Sequence, residues 1–264
     1  MSPSPKSPVP TSPVVPPVVL RDAALAAGRA YTRALGDTFE PSAVRYATGR
    51  CLELTGQPED ALQVHLQALC LPTAQAWPYL MNAIVRLAGL CGRRRPTAAA
   101  LSGLTARLPE LLLWQGHLLR LEGALDDALA PLTAADARCG GTIRFTATTE
   151  RVRCLCALDR HEAALAVCMQ GAADQPDAAA HLYCSAAGVL CHLGRPAEAL
   201  SLMNTVLHAI PELPEAWLNR GAALLHLHRG AEADEALDRC VQLSPDLAPT
   251  VLELRARHAS RPSQ

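Results

Sequence analysis

Hydrophobic and small residues recur along this chain with a period of about 34 residues. One copy of the pattern places an aromatic residue, a small residue, an aliphatic residue, a second small residue, a bulky residue and a proline at Trp217, Gly221, Leu224, Ala233, Leu237 and Pro245. The copy 34 residues earlier fills the same slots with Tyr183, Ala187, Leu190, Ala199, Met203 and Pro211. A repeat of this length predicts a stack of helix pairs, in which each pair buries its apolar face against its neighbours.

Short polar breaks divide each copy into two predicted helices. The break at 56–58, Gly-Gln-Pro, separates a helix over 42–54 from a helix over 59–71, and 194–196, Gly-Arg-Pro, is a second break of this type. In another copy Asp159 stands where glycine is expected. The second helices open with acidic residues, which favour the positive end of a helix dipole.

One copy departs from the pattern, and further helices are predicted at both ends. The run Cys91–Arg95 predicts an enlarged turn before a helix that begins at Pro96. A first helix is expected over Leu20–Leu35, closed by Gly36, and a last amphipathic helix over Pro249–His258 would cover the exposed edge of the final copy.

The residues of the best-preserved copy, Trp217, Gly221 and Leu224 followed by Ala233 and Pro245, resemble the tetratricopeptide repeat signature. Six copies can be traced, with starts near Ser42, Ala74, Pro109, Phe145, Ala180 and Pro214. The resemblance implies an all-α fold, a right-handed superhelical α-solenoid of antiparallel helix pairs.

The predicted organisation has five parts. Residues 1–18 form a Pro/Ser-rich tail that we expect to be disordered, and residues 19–41 form an N-terminal capping helix or a degenerate repeat. Residues 42–247 form the repeat array, residues 248–259 a C-terminal capping helix, and residues 260–264 a second disordered tail.

Small residues at fixed slots predict close helix packing. Each first helix carries a small residue that should meet a small residue of the second helix, so that the two backbones can approach closely. These pairs are Gly49 with Ala61, Gly116 with Ala128, Ala187 with Ala199, and Gly221 with Ala233. Trp77 and Trp217 occupy a bulky slot, where they are expected to pack in the core.

Composition excludes several classes of protein. The formal net charge of the 264-residue chain is −1, which argues against a nucleic-acid-binding protein. No apolar run approaches the ~18 residues of a membrane span, and the Pro-rich start cannot form the apolar helix of a secretion signal. The ten cysteines, most of which lie far apart in the sequence, are expected to be reduced and structural. Together these features predict a cytoplasmic protein.

No motif for catalysis or cofactor binding occurs in the chain. Glycine-rich phosphate loops, the HExxH zinc motif and the GxSxG elbow are all missing, so we expect neither an enzyme nor a cofactor. His181, Cys184 and Cys191 share one helix face, and His226 of the next copy could approach them as a fourth zinc ligand. The absence of a CxxC pair favours ordinary packing over metal binding.

The resemblance implies that the first helices of successive copies line a concave groove for a peptide or partner helix. Position by position, it assigns to this groove Tyr46, Arg50, Tyr79, Asn82, Arg86, Trp114, His117, Arg120, Arg153 and Asn219. Asn219 lies where family members hold a peptide backbone.

The groove residues allow more than one interpretation. Recurring arginines interleaved with aromatic rings suit an acidic or carboxylate-bearing segment. The alternatives are a groove of broader selectivity, or a solvated polar face on which Glu53, Glu110 and Glu150 neutralise the arginines. The sequence therefore predicts a non-enzymatic protein–protein interaction scaffold or adaptor. The alternative function is an obligate regulatory or chaperone-like subunit of a larger complex.

Overall fold

The computed structural model describes residue 26, residues 41–71 and residues 78–259 of the chain. All regular structure in these ranges is helical. The α-helices of these ranges are α1 (Pro41–Leu54), α2 (Pro58–Leu69), α3 (Pro78–Leu90), α4 (Arg94–Ser102), α5 (Leu111–Leu121), α6 (Leu125–Arg138), α7 (Gly141–Ala157), α8 (His161–Asp174), α9 (Ala179–His192), α10 (Pro196–Ala209), α11 (Pro214–His226), α12 (Gly230–Leu243) and α13 (Ala248–Ala259).

The chain divides into two compact units, Met1–Ala100 and Leu101–Gln264. In the first unit, α1 packs on α2 and α2 packs on α3. In the second unit, each helix from α5 to α12 packs on the next one, and α13 packs on α11 and α12. The predicted fold class, an all-α arrangement of consecutively packed helix pairs, is confirmed. The helix predicted over Leu20–Leu35 and the predicted core residue Trp77 lie outside the described residues, apart from Ala26, which is helical.

A residue in the left-handed backbone conformation reverses the chain between the two helices of every described pair. Glycine occupies this position four times, at Gly56, Gly92, Gly123 and Gly194, whereas the other two turns hold Asp159 (φ 59°) and His228 (φ 58°). Around Asp159, the N–H of Asp159 donates to the carbonyl of Cys156, and that of Arg160 to Leu155. This pair of bonds is the Schellman pattern that ends a helix, and it closes all six turns. Asp159 thus occupies the glycine position that the repeat pattern assigned to it.

The enlarged turn predicted at Cys91–Arg95 is wrong. Gly92 and Arg93 form the same hydrogen-bonded turn as in the other pairs, and α4 already begins at Arg94. The irregularity lies instead at the other end of α4, which has 9 residues where the other second helices have 12 to 14. Pro96 misled the prediction because proline is accepted within the first helical turn, where its missing N–H has no partner to lose.

Three of the four predicted small-on-small contacts are confirmed, because an added Cβ at Gly116 or Gly221 would lie 3.2 or 3.5 Å from the carbonyl oxygen of Ala128 or Ala233, and Ala187 shares a core cluster with Ala199. Ala61, Ala128, Ala199 and Ala233 are fully buried. A Cβ atom added to Gly116 would lie 2.4 Å from Cγ of Leu132, and one added to Gly221 would lie 2.6 Å from Cγ of Leu237. Neither distance leaves room for a methyl group, so these pairs require glycine on the first helix.

The C-terminal helix α13 begins one residue before Pro249 and ends one residue after His258. Its Val251 is buried with Leu237 and Cys240. Trp217 packs against three neighbouring apolar clusters, and its indole N–H donates to the carbonyl of Pro211 over 2.8 Å. Trp217 therefore packs in the core, as its slot in the repeat predicted.

All ten cysteines have free thiols. Burial raises the pKa of Cys154 and Cys191 to about 11, and that of Cys168 and Cys184 to about 12. These four side chains are buried and remain as uncharged thiols near neutral pH. Among the residues that the structure describes, none of the helices has the length and apolar character needed to cross a bilayer.

Candidate functional site

In the first unit the groove arginines converge on one carboxylate. Glu53, near the end of α1, has a side chain that is only 6% exposed. It accepts hydrogen bonds from Arg50 on its own helix and from Arg86 on α3. Its other oxygen, Oε1, lies 3.2 Å from Nε2 of His65 on α2. Glu53 therefore links three helices of this unit; we call these four residues the Glu53 cluster.

His65 occupies a core position that is apolar in other pairs. His65 lies four residues after Ala61. In three other pairs, the residue four positions after the corresponding alanine is Leu132, Met203 or Leu237. The side chain of His65 is fully buried against Gly49, since a Cβ at position 49 would lie 2.3 Å from the ring. Burial, the largest effect, lowers the pKa of His65, although the contact with Glu53 opposes this. A neutral imidazole thus fills the space of an aliphatic side chain.

Aromatic side chains lie beside the Glu53 cluster, and an exposed leucine follows Glu53 in the sequence. The rings of Tyr46 and Tyr79 meet edge to face, with centroids 4.7 Å apart, and Tyr46 also contacts His65. Leu54 follows Glu53 directly and is 80% exposed. Asn82, the remaining predicted groove residue of this unit, is exposed on α3. The unit therefore presents cationic, aromatic and aliphatic groups together.

The second unit builds a similar cluster from other positions. Glu150, in the middle of α7, has a side chain that is 4% exposed. Its Oε2 accepts from Nε of Arg120 and lies 3.0 Å from Nδ1 of His117, both on α5. Its Oε1 accepts from Arg153 over 2.8 Å. Three predicted groove residues therefore meet on one buried carboxylate; these four residues are the Glu150 cluster.

Glu150 remains ionised despite its burial. Burial, the largest single effect, raises the pKa of this carboxyl group. Hydrogen bonds from His117 and Arg120, together with their charges, outweigh it and lower the pKa to about 2. The carboxylate is thus a fixed negative charge that holds two guanidinium groups in place.

The surroundings of the Glu150 cluster repeat those of the first unit. The ring of Trp114 meets His117 nearly at a right angle, with centroids 6.2 Å apart. Leu121 follows Arg120 and is 38% exposed. The guanidinium-bearing side chain of Arg153 is 67% exposed. Each unit therefore combines an aromatic pair, an exposed leucine and a positively charged cluster.

The last predicted groove residue belongs to neither cluster. Asn219, on α11, donates its side-chain N–H to the carbonyl of Glu215 over 2.9 Å. Its Oδ1 faces Gly188 of α9, where an added Cβ would lie 3.8 Å away. The amide therefore already satisfies one of its own helix carbonyls, while its oxygen lies over a small residue of the neighbouring first helix.

The sequence pattern identified the arginines but only part of their environment. It named Glu53 and Glu150 as neutralising residues, and both carry out that role. Glu110, named with them, lies before α5 and has no ion pair with any described residue. His65 was missed, although a histidine in a slot filled by leucine or methionine elsewhere was a signal.

The zinc ligands considered from the sequence do not come together. Cys184 and Cys191 are buried, whereas His181 is exposed and its ring lies 6.1 Å from that of Phe145. Within the ranges 41–71 and 78–259, no group of three or more His, Cys, Asp or Glu side chains is arranged to hold a metal ion.

No protein-family model matches the sequence, and no curated protein matches it either. Solved structures do match. A tetratricopeptide repeat protein from Parabacteroides merdae superposes with a TM-score of 0.52 at 14% identity, over 92% of this chain and 93% of its own. MamA from Desulfovibrio magneticus superposes with a TM-score of 0.48 at 17% identity, over 64% of this chain and 96% of its own. YrrB, a TPR protein, superposes with a TM-score of 0.43 at 16% identity, over 87% of this chain and 99% of its own.

The first of these likenesses defines the class of protein. At 14% identity it shows the fold alone, and that fold is the tetratricopeptide repeat fold that the residue pattern resembles. The chain is thus an α-helical repeat protein with this fold.

Proposed function

We propose that the chain is a non-enzymatic interaction scaffold that binds an acidic or carboxylate-bearing segment of a protein partner in the groove of its first helices. The observation that carries this proposal is the pair of clusters. Each contains two arginines and one glutamate, so each retains a net positive charge after internal pairing. A guanidinium has five N–H donors, and the glutamate uses only part of them.

The clusters would hold their arginines ready for a ligand. Because Glu53 and Glu150 are buried and bonded, the guanidinium groups on them lose little additional freedom on binding. Tyr46 and Tyr79 in one unit, and Trp114 in the other, offer rings beside the charge. The exposed Leu54 and Leu121 add apolar contacts. A segment in which acidic and apolar residues alternate fits the groups of either unit.

The test uses the two more exposed arginines that can be removed without leaving a glutamate unpaired. In Arg86→Gln with Arg153→Gln, Glu53 keeps Arg50 and His65, and Glu150 keeps Arg120 and His117. Fluorescence anisotropy with a peptide of alternating Glu and Leu should show that the double variant binds about tenfold more weakly than wild type. High salt should weaken the binding of this peptide, because salt screens the charges. The matched control is Arg229→Gln, which removes an exposed arginine paired with Glu232.

Unchanged affinity of the double variant, or equal binding of a peptide with Lys in place of Glu, would contradict the proposal. The rival function, an obligate subunit of a larger complex, predicts a different behaviour of the isolated chain. Size-exclusion chromatography distinguishes the two, since a scaffold elutes as a stable soluble species and an obligate subunit aggregates without its partner.

A further inference from the structure

A second surface of the Leu101–Gln264 unit lies around the short 3₁₀ turn at Pro176–Ala178. This region contains three adjoining clefts, with volumes of about 500, 410 and 420 Å³. Pro176 borders the first and second clefts, and Met169 borders the second and third. We call this continuous set of clefts the turn surface. None of the arginines of the Glu150 cluster lines it.

The centre of the turn surface is apolar and exposed. Met169 and Ile210 both line the middle cleft, and each is 44% exposed. Tyr183, Leu202 and Val206 also line this cleft. Large aliphatic side chains that converge on one cleft are typical of a contact site for another chain, whereas isolated exposed residues are not.

One end of the turn surface carries excess negative charge. Arg144 in the first cleft is held by Asp136 over 3.2 Å and by Asp174 over 3.1 Å, and Asp136 also binds Arg151. Asp177 lines the same cleft and has no ion pair with any described residue. Three carboxylates therefore face two guanidinium groups, which leaves one carboxylate uncompensated.

The opposite end of the turn surface also carries excess negative charge. In the third cleft Arg195 lies 2.6 Å from Glu198 and 3.7 Å from Glu162. Two carboxylates therefore share one cation. Phe145 and His181 add rings beside Asp177 at the first end, with centroids 6.1 Å apart, and the face of Phe145 attracts a guanidinium or ammonium group.

We propose that the turn surface binds a segment of a partner protein that has an apolar centre flanked by basic residues. The apolar side chains fill the cleft between Met169 and Ile210, and the flanking Lys or Arg side chains pair with the carboxylates at the two ends. Because the groove clusters are positive and this surface is negative, the two surfaces select different segments. The chain can then hold two partners at once.

The direct test is a labelled peptide with two central leucines and two lysines on each side, measured by fluorescence anisotropy on the full chain. The matched probe replaces every lysine by glutamate. We expect the Lys-flanked peptide to bind at least about tenfold more tightly than the Glu-flanked one. Equal binding of the two probes would overturn the proposed charge preference.

Variants locate the binding. Met169→Glu with Ile210→Glu should reduce the affinity for the Lys-flanked peptide by about tenfold or more, because both residues contact its apolar centre. The control is Leu252→Glu, which places the same charge on a residue that is 65% exposed on α13. Asp177→Asn with Glu162→Gln should weaken binding by a smaller factor, whereas Glu253→Gln should leave it unchanged.

Two further outcomes distinguish the turn surface from the groove and from a contact between copies of the chain. The Arg86→Gln, Arg153→Gln variant should bind the Lys-flanked peptide as wild type does, so failure of the groove proposal and failure of this one are separable. If dilution of the wild-type chain shows a dimer that Met169→Glu with Ile210→Glu dissociates, the turn surface is instead an interface between copies. That result, or unchanged peptide binding by the same variant, would reject the proposal.

Discussion

The Glu53 and Glu150 clusters reach the same set of contacts by different routes. Glu53 lies near the end of α1 and takes its histidine from the second helix of its own pair, whereas Glu150 lies in the middle of α7 and takes its histidine from α5. His65 is fully buried, but the side chain of His117 is 27% exposed. Side-chain reach, and not one fixed slot of the repeat, therefore determines where such a cluster forms.

The largest expected difference between the clusters follows from removal of the carboxylate charge. Glu150→Gln should lower the free energy of unfolding by about 3 kcal/mol, because the pKa of Glu150 falls from 4.5 to about 2 and each unit corresponds to ~1.4 kcal/mol. Glu53→Gln should lower the free energy of unfolding by a smaller amount. Urea unfolding followed by circular dichroism measures both. A larger loss for Glu53→Gln would reverse the ranking of the two clusters.

The clusters should also respond to acid in different pH ranges. The pKa of buried His65 is lowered from 6.5, so the unfolded chain binds more protons and stability falls as the pH drops below about 6.5. For Glu150 the pKa is also lowered, from 4.5, so its contribution is complete above that value and is lost as the pH falls toward about 2.

Unfolding free energies measured from pH 7.5 downward, at intervals of about one unit, test this separation. His65→Leu should flatten the decline that begins near pH 6.5, while Glu150→Gln should flatten only the part below about pH 4.5. Identical curves for wild type and His65→Leu would show that the buried imidazole does not contribute to the pH dependence.

Alanine at the close-contact glycines should destabilise both units by about 1–3 kcal/mol. In Gly49→Ala the new methyl group displaces the ring of His65 and so disrupts the Glu53 cluster. In Gly116→Ala it meets Leu132 and lies 3.2 Å from the carbonyl oxygen of Ala128, which leaves the Glu150 cluster intact. Gly188→Ala is the control, since its nearest neighbour would lie at 3.8 Å. Thermal melts should show little change for this control.

The smallest effect concerns the turns. Both described turns of the first unit use glycine, whereas the second unit uses Asp159 and His228 in two of its turns. Asp159→Gly and His228→Gly should each stabilise the chain by about 0.5–1 kcal/mol, because glycine adopts the left-handed conformation without strain. The melting temperature measures this gain. A decrease in both variants would mean that these side chains have a stabilising role.

The sequence predicted the helix pairs well and the site only in outline. Gly116 and Ala128, Gly221 and Ala233 reveal close packing because the repeat period places them at fixed slots. The contact of Arg86 with Glu53 joins residues 33 apart, and that of His117 with Glu150 also spans 33. Long side chains can reach several neighbours at such distances, so spacing alone could not select these partners. The turn surface was missed because its residues belong to four helices and a turn.

The left-handed turns have a consequence for how the chain is made. The two hydrogen bonds that close each turn join residues only three and five positions apart. Such contacts need no search through distant chain segments, and a fold rich in them forms quickly. During synthesis, each helix pair can close as soon as its second helix leaves the ribosome, before the next pair has been translated. The order of the pairs along the chain can thus also be the order in which they fold.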